Sequence, residues 1–349
     1  MLQLSDIALP IIQAPMAGGL NTVEQVAIVS NAGGIGSFGF AYSTPDKIVA
    51  DLQAVKSRAS GPVNANFFIF SPVQLPAPET CDAVIKAMSQ FPGMADCTLP
   101  QPPFYPDLQQ QLEAIWQEKP ALLTFHFGIP PRDIVDKAHA HGIAVGMTAT
   151  CLSEAKQIVM AGADIVIAQG IEAGGHRGLF NILQYDEQLT TFALVRELAQ
   201  EIKIPIVTAG GIMSGYDIRK AFACGATAVQ MGTAFLTCHE SGTPPAYKDY
   251  LLKETQRGTA LTTAYSGRPA RGIVTEFIQQ MEGQSTLPFP IQNTLTREMR
   301  QQAQKRNDAE YQSLWAGTHY PLCRDESTTD LLDRLKTEMV IPAKTMTGK

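Results

Sequence analysis

The sequence predicts a (β/α)8 barrel, and three observations predict it: eight short β-like runs, helix-like segments between them, and glycine where one gives way to the other. The runs span residues 10–16, 34–39, 63–69, 122–128, 144–149, 165–170, 205–210 and 228–235. Apolar positions at helical spacing fill 22–31, 45–58, 131–141, 153–160 and 216–224. Ser43 or Thr44 before Pro45 suits a cap and first turn, and Gly142, Gly162 and Gly225 sit where helices should end in a left-handed residue. A doubly wound open sheet fits worse, because no G-x-G-x-x-G with an acidic residue about twenty positions on follows the first run.

Two stretches break the rhythm. Residues 71–106 carry Pro72, Pro76, Pro78, Pro92, Pro100, Pro102, Pro103 and Pro106, which predicts a largely irregular connection leaving the C-terminal end of the third strand, where a lid belongs. Residues 241–316 are rich in glutamine and charge, with a helical pattern over 293–315. The expected organisation is a barrel of residues 1–240 and 317–349, with 241–316 as a smaller, mostly helical substrate-side domain over its mouth.

With 349 residues, 45% apolar and 17% charged, the chain has a soluble enzyme's composition. A net charge of −6 without a basic block gives no electrostatic reason for nucleic acid or an anionic membrane as partner. No apolar run reaches spanning length and MLQLSDIALP lacks a signal pattern, so a soluble cytoplasmic protein, monomer or homodimer, is expected. The six cysteines show no C-x-x-C and no metal-ligand spacing; no metal is expected, and Cys224 and Cys238 are read as structural thiols.

Four glycines in ten residues mark Gln169-Gly-Ile-Glu-Ala-Gly-Gly-His-Arg-Gly178, directly after the sixth run. Such a loop lets backbone amides approach a flat or anionic ligand, and barrel enzymes place their catalytic residues at these strand ends, so His176 is the leading catalytic candidate. Glu172 either orders this loop or faces solvent. Thr208-Ala-Gly210-Gly211 and Gln230-Met231-Gly232-Thr233 follow the pattern of a phosphate site built from the seventh and eighth loops. Period-two parity puts Asn64 and Asn66 on one face, His126 inside the barrel near its mouth and Gln169 inside as well. Polar groups converging at one end of a barrel suit the edge of a polar heterocycle.

These residues resemble the nitronate monooxygenases, formerly 2-nitropropane dioxygenases, and within them the class I branch. The resemblance runs through Gln13-Ala-Pro-Met-Ala-Gly18, Gly33-Gly-Ile-Gly-Ser-Phe-Gly39, Asn64-Ala-Asn-Phe67, Phe125-His-Phe-Gly128, the Gly-His loop, Thr208-Ala-Gly-Gly-Ile212, Gln230-Met-Gly-Thr233 and Ser313-Leu-Trp-Ala-Gly317. It implies FMN-dependent oxidation of alkyl nitronates, propionate 3-nitronate foremost, by O2 without a nicotinamide cofactor. The implied cofactor contacts are Met16, Asn66, Gln169, Gly174, Gly175, Gly210, Gly211, Gln230, Met231, Gly232 and Thr233. His176 falls at the family's active-site histidine, with His126 a second candidate; the two would draw in the substrate's negative charge, and a neutral His176 could act as base toward a neutral nitroalkane. Tyr105, Tyr311 and Lys305 are the candidate substrate contacts, and Thr318 stands where this branch leads one to expect glutamine. Rival readings are an NAD(P)H-dependent quinone or enoyl reductase on the same flavin barrel, a non-redox phosphate-binding lyase or isomerase, and a flavin-binding sensor without turnover. The second lacks an evident lysine or carboxylate pair at the strand ends.

Overall fold

In the computed structural model, which describes residues 1–340, eight parallel strands form one sheet. They are β1 (Ile11–Gln13), β2 (Gly36–Gly39), β3 (Val63–Phe68), β4 (Leu122–His126), β5 (Ala144–Ala149), β6 (Ile165–Gln169), β8 (Ile206–Ala209) and β9 (Ala228–Met231); β7 (Gly175–His176) lies outside this sheet. The spatial order is β1-β9-β8-β6-β5-β4-β3-β2. The ends meet at a parallel bridge between Ile12 and Ile35, where Gln13 N donates to Ile35 O (2.9 Å) and Ile35 N to Ile11 O (3.0 Å). A barrel is therefore the architecture.

Helices cover the outside: α1 (Val23–Asn31), α2 (Pro45–Lys56), α4 (Leu108–Glu118), α5 (Arg132–Ala140), α6 (Leu152–Met160), α7 (Thr191–Glu201), α8 (Gly215–Ala223) and α14 (Thr328–Val340). Local chemistry sets their ends. Thr22 and Thr44 cap α1 and α2 by accepting from Gln25 N and Lys47 N, and Ser214 and Asp217 form a reciprocal capping box on α8. Gly142, Gly162 and Gly225 all have positive φ just beyond their helices. Inside the barrel, Leu4 from the N-terminal turn joins Ile12, Ile35, Leu122, Ile165, Ile167 and Val207 in an apolar plug. Above it lies a polar layer, in which Asn64 Nδ2 donates to Ser37 Oγ (3.1 Å), Thr124 Oγ1 to Asn64 Oδ1 (3.0 Å) and Asn66 Nδ2 to Thr124 Oγ1 (2.9 Å). The strands thus pass from sealed to polar toward their C-terminal ends.

Two expectations need correction. The last strand stops at Met231, and Thr233–Leu236 turn into a short helix, α9. Residues 71–106 are largely irregular as expected, with one helix among them, α3 (Pro78–Met88): Pro78 occupies the first turn, where a missing N–H costs nothing, and Cys81, Val84 and Met88 form its buried stripe. The single helix expected over 293–315 is instead α12 (Ile291–Leu295) and α13 (Arg297–Lys305), stopped where Asn307 turns left-handed at φ 53°. The segment 241–316 also holds α10 (Pro245–Lys253), α11 (Glu276–Gln280) and two strands absent from the sequence reading, β10 (Thr259–Thr262) and β11 (Ala270–Ile273). β11 pairs antiparallel with β10 on one side and β7 on the other. α3 shares an apolar core with this segment through Tyr265, Phe277, Ile291 and Met299. Residues 341–349, assigned to the barrel at the outset, lie outside the described residues. No helix among those described is long and apolar enough to cross a membrane.

Candidate active site

A cavity of about 560 Å3 opens at the C-terminal ends of the barrel strands. Every residue expected to touch the cofactor lines it, from Met16, Asn66 and Gln169 through Gly174, Gly175, Gly210 and Gly211 to Gln230, Met231, Gly232 and Thr233. His126 and His176 line it too. Tyr105, Tyr311 and Lys305 do not. Tyr105 stacks on Phe70 at 4.6 Å, Tyr311 packs beside Phe277, and Lys305 is exposed at the end of α13. The cavity takes Arg297, Arg300, Gln301 and Gln304 from α13 instead, the i, i+3, i+4, i+7 face of that helix.

The Gly-rich loop is fixed along its length. Glu172 Oε2 accepts from Thr191 N and Thr191 Oγ1, both at 2.8 Å, so this carboxylate orders the loop against the start of α7. At Gly174 a Cβ would lie 2.5 Å from the backbone of both Ala316 and Gly317, and only a residue without one fits there. Gly210, at φ 118°, leaves a Cβ 2.7 Å from Thr191 Oγ1 and 3.0 Å from Ala173 N. His319 Nδ1 donates to Gly211 O (2.6 Å) and Gly317 N to Thr233 Oγ1 (3.0 Å). The turns after β6, β8 and β9 are thereby tied together through residues 316–319. Thr318, the departure noted from sequence, uses its backbone N to bond Glu172 O (3.0 Å), and its hydroxyl is buried without a partner.

His176 sits in β7, so its backbone is held by β11, and its carbonyl accepts from Gln169 Nε2 (2.9 Å) and His126 Nε2 (3.2 Å). Gln169 Oε1 accepts from Gly178 N (2.7 Å), and Arg177, with its side chain almost wholly buried, closes the loop by pairing with Asp186 at 2.9 Å. The imidazole tautomer follows from proton counting. Ser266 Oγ gives its one proton to Arg268 O (3.0 Å), so its 2.9 Å contact with His176 Nε2 requires the ring to donate. His176 Nδ1 is left as the lone pair, and the same reasoning, from a carbonyl acceptor, makes His126 an Nε2–H donor. Phe68, Phe127, Phe289 and Trp315 surround the His176 ring at 5.5–6.0 Å.

Burial among these rings, reinforced by the positive charges of Arg268 and Arg300, pushes His176 down to about 3, and burial likewise takes His126 to about 3. Both are neutral at physiological pH. The expectation that the histidines draw in the anion is thereby corrected, while the neutral His176 expected as a base is kept: positive charge comes from Arg268, 4.0 Å over the Phe127 ring, and from Arg300, each lowered by burial only to about 10. A stability effect follows. The unfolded chain protonates these two histidines near 6.5 while the fold resists down to about 3, so their contribution to stability is full above 6.5 and is lost as pH drops through that window. Thermal midpoints between pH 4.5 and 6.5 should decline less steeply in His126→Asn than in the parent; parallel curves would contradict the neutral assignment.

The sequence reading missed Ser266, Arg300 and Tyr42, all remote in sequence from any glycine motif. Burial raises Tyr42 above its ordinary range, and its hydroxyl is buried without a hydrogen-bond partner. Gln230 Oε1, also a cavity residue, is likewise buried and unpaired. Such orphans beside a glycine cradle fit a polar, phosphate-bearing ligand. Among the described residues no cluster of three or more histidine, cysteine or carboxylate side chains is arranged to hold a metal, and burial raises the Cys238 and Cys323 thiols to about 12.

A model of the nitronate monooxygenase family matches residues 1–338. A nitronate monooxygenase of Pseudomonas aeruginosa is 40% identical over 346 residues, covering 97% of this chain and 98% of that protein. The crystal structure of nitroalkane oxidase from Streptomyces ansochromogenes matches with a TM-score of 0.90 at 32% identity, over 96% of this chain and 97% of that one. FabK from Thermotoga maritima matches less closely, with a TM-score of 0.74 at 28% identity over 96% and 94%. By its sequence from end to end and by its barrel, this chain belongs to the nitronate monooxygenase family and is a flavin-dependent oxidoreductase.

Proposed function

We propose that this protein uses FMN and O2 to oxidise alkyl nitronates, propionate 3-nitronate among them, to a carbonyl compound with nitrite and nitrate. The observation that carries the reading is the presence, in one cavity, of a three-turn glycine cradle and the neutral imidazole of His176. Gly210, Gly211, Gly232 and Thr233 would hold the phosphate of FMN, and Asn66, Gln169, Gln230 and Met231 would face its ring. When bound, FMN supplies the redox chemistry that protein side chains lack.

The chain supplies position and charge. A nitronate is already a carbanion equivalent, so no proton need be removed; Arg268 and Arg300 favour its negative charge, and the ring cage around His176 keeps water out. With a neutral nitroalkane, the Nδ1 lone pair of His176 is the base, and Ser266 and the His176 backbone bonds hold it in place. The test is an ultraviolet-visible spectrum of the purified protein followed by oxygen uptake with propionate 3-nitronate. A flavin spectrum and nitronate-dependent uptake are expected, with no anaerobic bleaching by NADH. Rapid bleaching by NADH without turnover of nitronates would replace this reading with an NAD(P)H-dependent reductase.

A further inference from the structure

The glycine turns assigned above to a phosphate carry no positive charge of their own. Among the residues lining the cavity, the lysine and arginine side chains are Arg297 and Arg300 alone; they stand on α13, where their charges act on Tyr42 and that of Arg300 on His176. After β8 and β9 the lining is Gly210, Gly211, Ile212, Gly232 and Thr233, all uncharged. Backbone amides cradle an oxyanion, and a cation beside them strengthens the hold.

One side chain able to become a cation reaches these turns, His319. Its ring lies against Gly211: a Cβ on that glycine would stand 3.0 Å from His319 Nδ1 and 3.2 Å from Cε1. Nδ1 is 2.6 Å from Gly211 O, and a carbonyl only accepts, so Nδ1 carries a proton. Nε2 has no protein partner among the described residues, and the residue lines the cavity. With Nδ1 committed, Nε2 of the neutral ring presents a lone pair, which an oxyanion repels. The ring meets a phosphate favourably only once Nε2 has taken a proton from solvent and both nitrogens donate.

The groups around His319 leave it to titrate by itself near neutrality. Glu172, whose Cβ abuts Gly211, commits its carboxylate to Thr191. Burial pushes the Tyr247 and Tyr320 phenols up and the Cys323 thiol to about 12. His126 and His176, at about 3, stay neutral, and His239 is tied to Asp325 at 3.1 Å and does not line the cavity.

We propose that His319 binds the phosphate of the cofactor as an imidazolium, so that loading the cofactor takes up a proton. The proposal rests on the FMN reading above and adds to it a residue and a proton that the glycine turns do not supply.

The test titrates FMN, and riboflavin, which lacks the phosphate, into the full-length chain stripped of flavin. Flavin fluorescence is followed between about pH 6.5 and 8.5, a window in which the phosphate has already lost its second proton, at about 6. Parent and His319→Asn are compared, because asparagine places an N–H where Nδ1 stands and has no second nitrogen to protonate. His319 is exposed, so solvent screens the pair and the expected effect is about tenfold. The parent should bind FMN about tenfold more weakly at the top of the window than at the bottom, and His319→Asn should change less than about twofold. Riboflavin should bind both proteins equally at every pH. Calorimetry of FMN binding in buffers of different ionisation heat should count about one proton taken up by the parent and none by the variant. That count on the parent alone decides the matter if the variant does not fold.

Parallel pH profiles, equal losses on FMN and riboflavin, or no proton uptake would overturn the proposal, leaving His319 a brace for Gly211 and the FMN reading intact. If neither flavin binds the parent, the FMN reading fails and inorganic phosphate becomes the probe. It should then raise the titration midpoint of the His319 Cε1 proton, assigned in the magnetic resonance spectrum by its absence from His319→Asn; an unmoved midpoint sinks the proposal.

Discussion

His176→Asn is expected to lower kcat/KM for neutral nitroalkanes by about 10²- to 10⁴-fold while leaving flavin bound. The proton count at Ser266 leaves Nδ1 of His176 as an unprotonated nitrogen in the cavity, and burial keeps it neutral across the working range. Asparagine can still meet Ser266 but offers no such base. Preformed nitronates, which need no deprotonation, should suffer much less, about tenfold from lost positioning. The measurement is steady-state oxygen uptake with each nitroalkane and its nitronate, alongside the flavin absorbance. Equal impairment on both forms would remove the base and leave His176 as a positioning residue only.

Gly174→Ala should strip the protein of most of its flavin. The added methyl group would sit 2.5 Å from the backbone of Ala316 and Gly317, atoms that cannot step aside as a side-chain tip can. Residues 316–319 would have to move, and through Thr233 and Gly211 they carry two of the three turns of the cradle with them. A cost of about 1–3 kcal/mol in stability is expected from the overpacking alone. Flavin retention after gel filtration and the thermal midpoint check this, with Gly258→Ala as a control at a positive-φ glycine that faces open space. A Gly174→Ala protein that keeps its full flavin complement would show that the cradle does not depend on this contact.

The barrel was legible because its strands are buried on both faces and read as short continuous apolar runs, as at Ile165–Gln169. Strand ends were less so: the run through Phe235 is apolar beyond Met231, and periodicity alone does not separate a buried strand from a buried helical turn. Thr259–Thr262 and Ala270–Ile273 escaped notice because they are short, and the first is uniformly half-buried, with no alternation to see. The glycine turns announced themselves through composition. The α13 wall did not, since a polar stripe such as Arg297, Arg300, Gln301 and Gln304 looks the same whether it meets water or an enclosed cavity. Tyr105 illustrates the opposite case, an aromatic expected at the substrate because it ends the proline-rich connection, which the fold uses to stack on Phe70.

The antiparallel pairing of Ala270 and Arg271 with His176 and Gly175 limits how this molecule can be recombined. A transplanted outer segment from a relative would bring a foreign partner for the very peptide that carries the imidazole. Chimeras cut on either side of residues 241–316 should therefore misplace that ring unless the donor's strand restores the same two-residue match.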